Sequence, residues 1–365
     1  MIAIIFSFLM ATLMCFFIIR YSHLHTHVTT DPIKGGPQKF HTHPTPRIGG
    51  VAILVGMIVS TVIFALQEKP FVKEMLLLIV CSLPAFLSGF AEDITKKVGA
   101  TIRLLFTMVS AIMAFLLLDV KITRLSLPIV DNLLSFIPFS LVLTMIAVAG
   151  LSHAINIIDG FNGLVSGVAL LTFTSLAYVS FKVNDSFLLF VCLIMCAVIV
   201  GFFIWNYPNG MIFLGDGGAY LIGFVIAIVS VLLVNRHSEV SPWFPMLLVV
   251  YPVWETVFSV YRRFQNKKPV GIPDALHLHS LVYKRLLQFL VGKKKAKIIV
   301  KRNAMTSPYL WMLSLVAIIP AVFFWQHTVI LFFFTVAFIL LYQWLYFKII
   351  KFKTPQWLIQ RKKLQ

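Results

Sequence analysis

Negative charge is scarce in this chain: 13 Asp and Glu stand against 31 Lys and Arg, and only 12% of its 365 residues are charged. A soluble domain averages about 25% charged residues. With 59% hydrophobic content and a mean hydropathy of +0.93, a soluble class is excluded. Cysteine is scarce as well. Cys15, Cys81, Cys192 and Cys196 all fall in apolar runs, so no disulfide in solvent is implied. Cys192 and Cys196 are one helical turn apart but have no His or acid beside them, so they read as packing rather than a metal pair. The first apolar run lacks a basic n-region and an A-x-A-like cleavage site and is followed by Arg20, so a cleaved signal peptide is not expected. Internal repeats are missing, and so is the ten-residue alternation of an outer-membrane barrel, which leaves helices.

What is present is a series of eleven apolar runs near 1–20, 48–67, 72–91, 101–119, 135–156, 161–181, 186–205, 213–235, 243–262, 309–326 and 328–348. Each is long enough to cross a hydrocarbon core. The expected fold is an all-α, polytopic integral membrane protein of about eleven transmembrane helices, forming one domain over 1–365. Lys69, Lys73, Lys121, Arg124, Lys182 and Arg236 lie on one set of connections, and the other 25 Lys and Arg lie on the alternate set. The positive-inside rule then puts the N-terminus in the periplasm and the C-terminus in the cytoplasm. The loops 21–47 and 263–308 and the basic tail 349–365 become cytoplasmic. The first loop reads as irregular. In the second, 278–292 has the spacing of an interfacial amphipathic helix or of a solvated basic face. The net charge of +18 belongs at an anionic membrane surface and would attract an anionic substrate; no nucleic-acid partner is implied.

Seven of the thirteen acids fall on this same cytoplasmic side, where carboxylates near hydrocarbon usually mark a functional site. In SGFAEDITKK, Glu92 and Asp93 are adjacent on a helix and diverge by ~100°. They are poorly placed to chelate one ion together, and more apt to divide work between a metal and a proton or second ligand. Lys96 and Lys97, a turn further on, suit phosphate oxygens. In NIIDGFNG, Asn156 and Asp159 share a face if the helix continues that far. Gly160 and Gly163 let backbone N–H groups approach an anion, and Asn162 offers an amide to a sugar, base or phosphate. In FLGDGGAYLIG, Asp216 sits between glycines at a helix start, as a cap or as a carboxylate on Mg²⁺; Gly223 should pack closely on another helix. In HTHPTPRIGG, Arg47 suits a phosphate or marks the membrane boundary. His277 and His279, with Asp274, read as a loop reaching towards a ligand and lack the partners of a zinc site. Acid, amide, cation and Gly-rich backbone on one membrane face are the inventory of phosphoryl transfer.

These motifs, in this order from about residue 37 to 285, resemble the polyprenyl-phosphate N-acetylhexosamine-1-phosphate transferases. PTPRIGG and HLH look closer to the O-antigen and enterobacterial common antigen branch than to the peptidoglycan phospho-MurNAc-pentapeptide transferase. The resemblance implies attack of undecaprenyl phosphate on the β-phosphate of a UDP-N-acetylhexosamine or deoxyhexosamine, release of UMP, and a requirement for Mg²⁺, with Mn²⁺ as a substitute. It implies a bacterial inner-membrane enzyme with its site facing the cytoplasm, forming a homodimer. The family's acidic pair falls on Glu92 and Asp93, its N-x-x-D-G on Asn156, Asp159 and Gly160, its metal aspartate on Asp216 and its histidines on His277 and His279. Glu92, Asp93 and Asp159 are thus the catalytic candidates and Asp216 the metal ligand. Arg47, Lys96, Lys97, Asn156, Gly160, Asn162, His277 and His279 are the substrate contacts. Four positions depart from the commonest pattern: Glu92 and Glu255 stand for Asp, Asn162 for Asp, and Ser280 for a second His. They leave open the sugar, the general base, and an inactive or hydrolytic relative. A secondary transporter of an anionic metabolite is the alternative from another class, disfavoured because the acids gather at one mouth.

Overall fold

The structure, a computed structural model, describes residues 1–31, 44–267, 276–287 and 296–351. Its helices are α1 Ile2–Arg20, α2 Ser22–Thr29, α3 Gly49–Leu66, α4 Val72–Thr95, α5 Ala100–Leu117, α6 Pro128–Leu134, α7 Ile137–Ile158 and α8 Leu164–Lys182. They continue as α9 Ser186–Asn206, α10 Gly215–Arg236, α11 Trp243–Leu248, α12 Val250–Gln265 and α13 Leu278–Leu281. A π-helical segment follows at Val282–Leu287, then α14 Ala296–Phe323 and α15 Thr328–Lys351. The strands are β1 Thr30–Asp31 and β2 Thr45–Pro46, which pair antiparallel.

Among the described residues, ten helices are long and apolar enough to cross a membrane. The ninth expected run, 243–262, is present as two pieces, α11 and α12, that meet at Val249. Pro252 has no N–H to give the carbonyl four residues back, so the α-helical ladder fails there. Helix α14 starts thirteen residues before the expected span at 309. The first connection is not wholly irregular either, since it carries α2 and the β1–β2 pair that closes the chain on either side of 32–43.

Helix α10 is the centre of the bundle. It is apolar on every side, as a fully enclosed helix must be, and packs against α3, α4, α7 and α8. Its glycines make this possible. A Cβ on Gly50 of α3 would lie 2.4 Å from the Gly218 backbone, and one on Gly89 of α4 would lie 2.5 Å from the Gly217 nitrogen. Gly223 meets the backbone of Ser152 in the same way, at 2.6 Å, as its sequence context predicts. Backbone-to-backbone contact of this kind takes the place of a hydrophobic drive between helices in lipid.

Ion pairs mark the two ends of the bundle. At one end Arg236 of α10 reaches Glu74 of α4 at 2.6 Å and Asp185, the N-cap of α9, at 3.4 Å. At the other end the N-terminus of α10 brings together Arg47, Asp93 and Asp216.

Candidate active site

The segment Pro46–Gly50, which leads into the first turn of α3, is hydrogen-bonded along Phe213–Leu214. Phe213 N donates to Pro46 O at 2.8 Å, and Gly49 N and Gly50 N donate to Phe213 O and Leu214 O at 2.9 Å each. These bonds bring Arg47 to Asp216. At the turn, Gly215 has φ +78°, and a Cβ there would collide with the Arg47 carbonyl and lie 2.5 Å from Asp93 Oδ2. Only glycine fits.

Asp93 differs from its sequence reading. It is 1% exposed. Its Oδ1 accepts from Asp216 N at 2.9 Å and its Oδ2 from Gly217 N at 3.1 Å. These are two of the N–H groups that a helix leaves without intrahelical partners in its first turn. Asp93 therefore caps α10 from another helix, and both oxygens are engaged. Its neighbour Glu92 does diverge from it: Glu92 is half-buried and accepts from Val98 N at 2.7 Å. Lys96 ends α4 in the left-handed conformation and donates from Nζ to the Asp93 carbonyl at 2.9 Å. Lys97 is exposed.

Asp216 projects from the first turn of α10. Arg47 Nη2 donates to its Oδ1 at 3.3 Å and lies 3.6 Å from Asp93 Oδ1, and Arg103 Nη1 pairs with Oδ2. Arg103 was not singled out in the sequence. The available signal is that it is the sole charge in the 18 residues of α5, a costly position unless it has a function.

Helix α7 ends at Ile158, so Asn156 is helical while Asp159 lies in the turn, its N–H on the Asn156 carbonyl at 3.1 Å. Burial raises the Asp159 carboxyl to about 7, the Arg47 cation pulls it down and the Asp216 charge pushes it up. Asp159, Asp216 and Arg47 thus share one electrostatic environment. Asn162 does not face it. Its amide donates to Pro208 O at 3.0 Å, its backbone N donates to Asn303 Oδ1 at 2.9 Å, and its carbonyl accepts from Ser307 Oγ at 2.6 Å. These contacts brace the turn. Asn206 helps, accepting from Gly163 N at 2.6 Å.

The histidines are also placed differently from the expected loop. His277 is the N-cap of α13, His279 lies inside it, and the rings stack at 5.1 Å with 13° between planes. The extended backbone at the cap turns the first ring back over the second, which the i,i+2 spacing alone does not suggest. His277 Nδ1 bonds Glu255 Oε1 at 2.9 Å. His279 Nε2 would lie 3.3 Å from a Cβ on Gly160, so this pair abuts the Asp159 turn. Residues 278–287 pack inwards on Leu278, Leu281, Val282 and Leu287 rather than lying flat at an interface; Asp274, 288–292 and the tail beyond 351 lie outside the described residues.

Among the described residues, no three His, Cys, Asp or Glu side chains converge to hold an ion by themselves. Mg²⁺ usually takes one or two carboxylates and completes its shell with water and substrate phosphate. Asp216 and Asp159 are the two carboxylates available.

Fold and site together define a polytopic membrane protein with a carboxylate and guanidinium cluster at one mouth. Residues 75–234 match the family described as glycosyl transferase family 4. It is 26% identical over 264 residues to the probable undecaprenyl-phosphate N-acetylglucosaminyl 1-phosphate transferase of Bacillus subtilis, covering 72% of this chain and 71% of that one. It is 26% identical to the undecaprenyl-phosphate alpha-N-acetylglucosaminyl 1-phosphate transferase of Thermotoga maritima, over 72% of this chain and 74% of the relative. The phospho-N-acetylmuramoyl-pentapeptide-transferase of Staphylococcus carnosus is 28% identical over 64% of this chain and 76% of its own.

Proposed function

We propose that this protein transfers a sugar-1-phosphate from a UDP-N-acetylhexosamine or deoxyhexosamine to undecaprenyl phosphate and releases UMP, at the cytoplasmic face of a bacterial inner membrane. One observation carries the reading: the Arg47–Asp216–Arg103 cluster, with Asp159 in the same field, stands where the membrane helices α4 and α7 end and α10 begins. A cavity of about 420 Å³ runs between α7, α10, α11 and α12, with Lys121 and Arg124 at its far end and Ala154 and Thr256 towards the near end. Ile146, Met246 and Val257 on its wall are exposed, so the groove opens sideways to lipid. Ala154 is five residues before Asp159. The family relatives named for undecaprenyl phosphate support the same acceptor.

Mg²⁺, held by Asp216 and Asp159, would neutralise charge on the donor diphosphate. Arg47 and Arg103 then have phosphate oxygens to bind in addition to Asp216, in the geometry guanidinium favours. Glu92, with a half-buried carboxylate, positions the acceptor phosphate. Asp93 acts through α10, by fixing where Asp216 stands. A general base is not essential, because a phosphate monoester with a second pKa of about 6 is mostly ionised near neutrality.

The test is UMP release by purified protein in detergent with undecaprenyl phosphate, Mg²⁺ and a donor panel that includes UDP-N-acetylhexosamines and UDP-MurNAc-pentapeptide. UMP that requires lipid, metal and one donor supports the reading and names the sugar. UMP without lipid would make the protein a hydrolase.

A further inference from the structure

Glu255 is 0% exposed, and a buried carboxylate is costly unless donors surround it. It has four such bonds. His277 Nδ1 lies 2.9 Å from Oε1, Leu278 N donates to both oxygens at 3.3 and 3.2 Å, and the Tyr342 hydroxyl donates to Oε2 at 2.7 Å. Because an ionised carboxylate can only accept, His277 carries its proton on Nδ1, leaving Nε2 as the ring nitrogen that Glu255 does not engage. Leu278 N is an orphan donor of the α13 N-terminus, so Glu255 also sets where that helix begins. Tyr342 itself is fully buried, with Phe258 edge-on at 6.0 Å and Tyr346 stacked at 6.4 Å, which fixes the direction of its hydroxyl.

Tyr342 belongs to α15, the last membrane helix, far outside residues 75–234. The connection runs from Tyr342 to Glu255, to His277, to the stacked His279, and to Gly160 beside Asp159. It lies on the opposite side of α12 from the lipid groove. Val253, Thr256 and Val257 line the groove, whereas Glu255, at 100° per residue, projects away from them. The groove face suits the prenyl acceptor. The histidine face, polar and next to the Asp159 turn, suits the nucleoside diphosphate end of the donor.

We infer that α15 is part of the donor site: Tyr342 and Glu255 are positioning residues that hold the His277–His279 pair against the Asp159 turn for binding the UDP-sugar. This rests on the transferase reading above. Tyr342→Phe removes one oxygen and keeps the ring, so it carries the test even if the Glu255 variants do not fold. UMP release is measured with donor and lipid varied separately. Because Tyr342 acts through the histidine pair, only part of the loss of a hydrogen bond to a charged group reaches the donor, and the UDP-sugar KM should rise about five- to tenfold, with lipid KM and kcat nearly unchanged. Glu255→Gln turns an amide towards groups that donate and should raise the donor KM further, with Glu255→Asp intermediate. Thr335→Val is the control on the same helix. Thr335 is buried and donates to the Leu331 carbonyl of its own helix, at 2.9 Å, so its loss should leave the donor KM in place. An unchanged donor KM in Tyr342→Phe, equal rises in both KM values, or the same shift in Thr335→Val overturns the inference while wild-type turnover keeps the transferase reading standing. A wild-type protein that releases no UMP with any donor removes both.

Discussion

Replacing Asp93 with Asn separates a structural carboxylate from a chemical one. Asp93 accepts from the two N–H groups that open α10, at 2.9 and 3.1 Å, with Arg47 at 3.6 Å. An Asn keeps one acceptor and turns its NH₂ towards the second N–H. One charge-assisted bond is then lost, at about 1.5–3 kcal/mol, and the helix dipole loses the anion at its positive end, ~0.3–1 kcal/mol more. The expected cost is about 2–4 kcal/mol. At roughly 2 °C per kcal/mol for a large chain, Tm should fall by about 4–8 °C. Asp93→Ala removes both bonds and should cost more. Thermal unfolding in detergent by intrinsic fluorescence reads these shifts, and Mn²⁺ binding to the same samples reads whether Asp216 has moved. We expect Asp93→Asn to lower stability and metal affinity together. A variant with unchanged Tm and unchanged Mn²⁺ affinity but no turnover would falsify the capping argument and return Asp93 to the chemistry.

Asp216→Asn should behave in the opposite way, since its ion pairs are partly solvated and worth about 1 kcal/mol or less: Tm should stay close to wild type while Mn²⁺ binding is lost, and retained binding would refute the metal assignment. Asp159, raised to about 7 mainly by burial, is protonated below that pH in the metal-free protein. A cation must then displace the proton, so Mn²⁺ affinity should rise from pH 6 to 8 by up to about tenfold per unit below 7; a flat profile would exclude Asp159 as a ligand. Without a cation the same shift makes charging Asp159 unfavourable, so its contribution to stability declines as pH rises from the unfolded value of 3.8 towards 7. Gly89→Ala puts a Cβ 2.5 Å from the Gly217 nitrogen, where two backbones cannot yield easily; about 1–3 kcal/mol of overpacking should appear as lower Tm with loss of activity, and a neutral result would contradict the α4–α10 packing. Asn303→Ala should release the Asn162 amide proton's partner and lower turnover more than Tm, measured by UMP release beside unfolding.

Much of the architecture can be read along the chain because the bilayer enforces it. Runs of about twenty apolar residues must be helices, since unpaired backbone is intolerable in hydrocarbon, and ten described helices fall where those runs do. The ninth run fails as a single helix for a local reason, Pro252, that is legible once the carbonyl four residues back is considered. Asp216 at a helix start and Gly223 at a close crossing were equally legible, each from its immediate neighbours.

The sequence alone determined the all-α membrane class and the positions of the spans, because those depend on local hydropathy and backbone chemistry. It also set the motifs beside alternate helix ends, because a chain that crosses and recrosses a membrane must do so. Tertiary structure decided which polar group meets which. Asp93 became a cap only when α4 met α10. Arg103 became part of the cluster through α5, Asn162 was drawn away by Asn303 and Ser307, and Glu255 found Tyr342 from 87 residues further on. No periodicity encodes such pairings. They arise where glycines let backbones approach, so that a buried charge finds its partner across the bundle rather than along the chain.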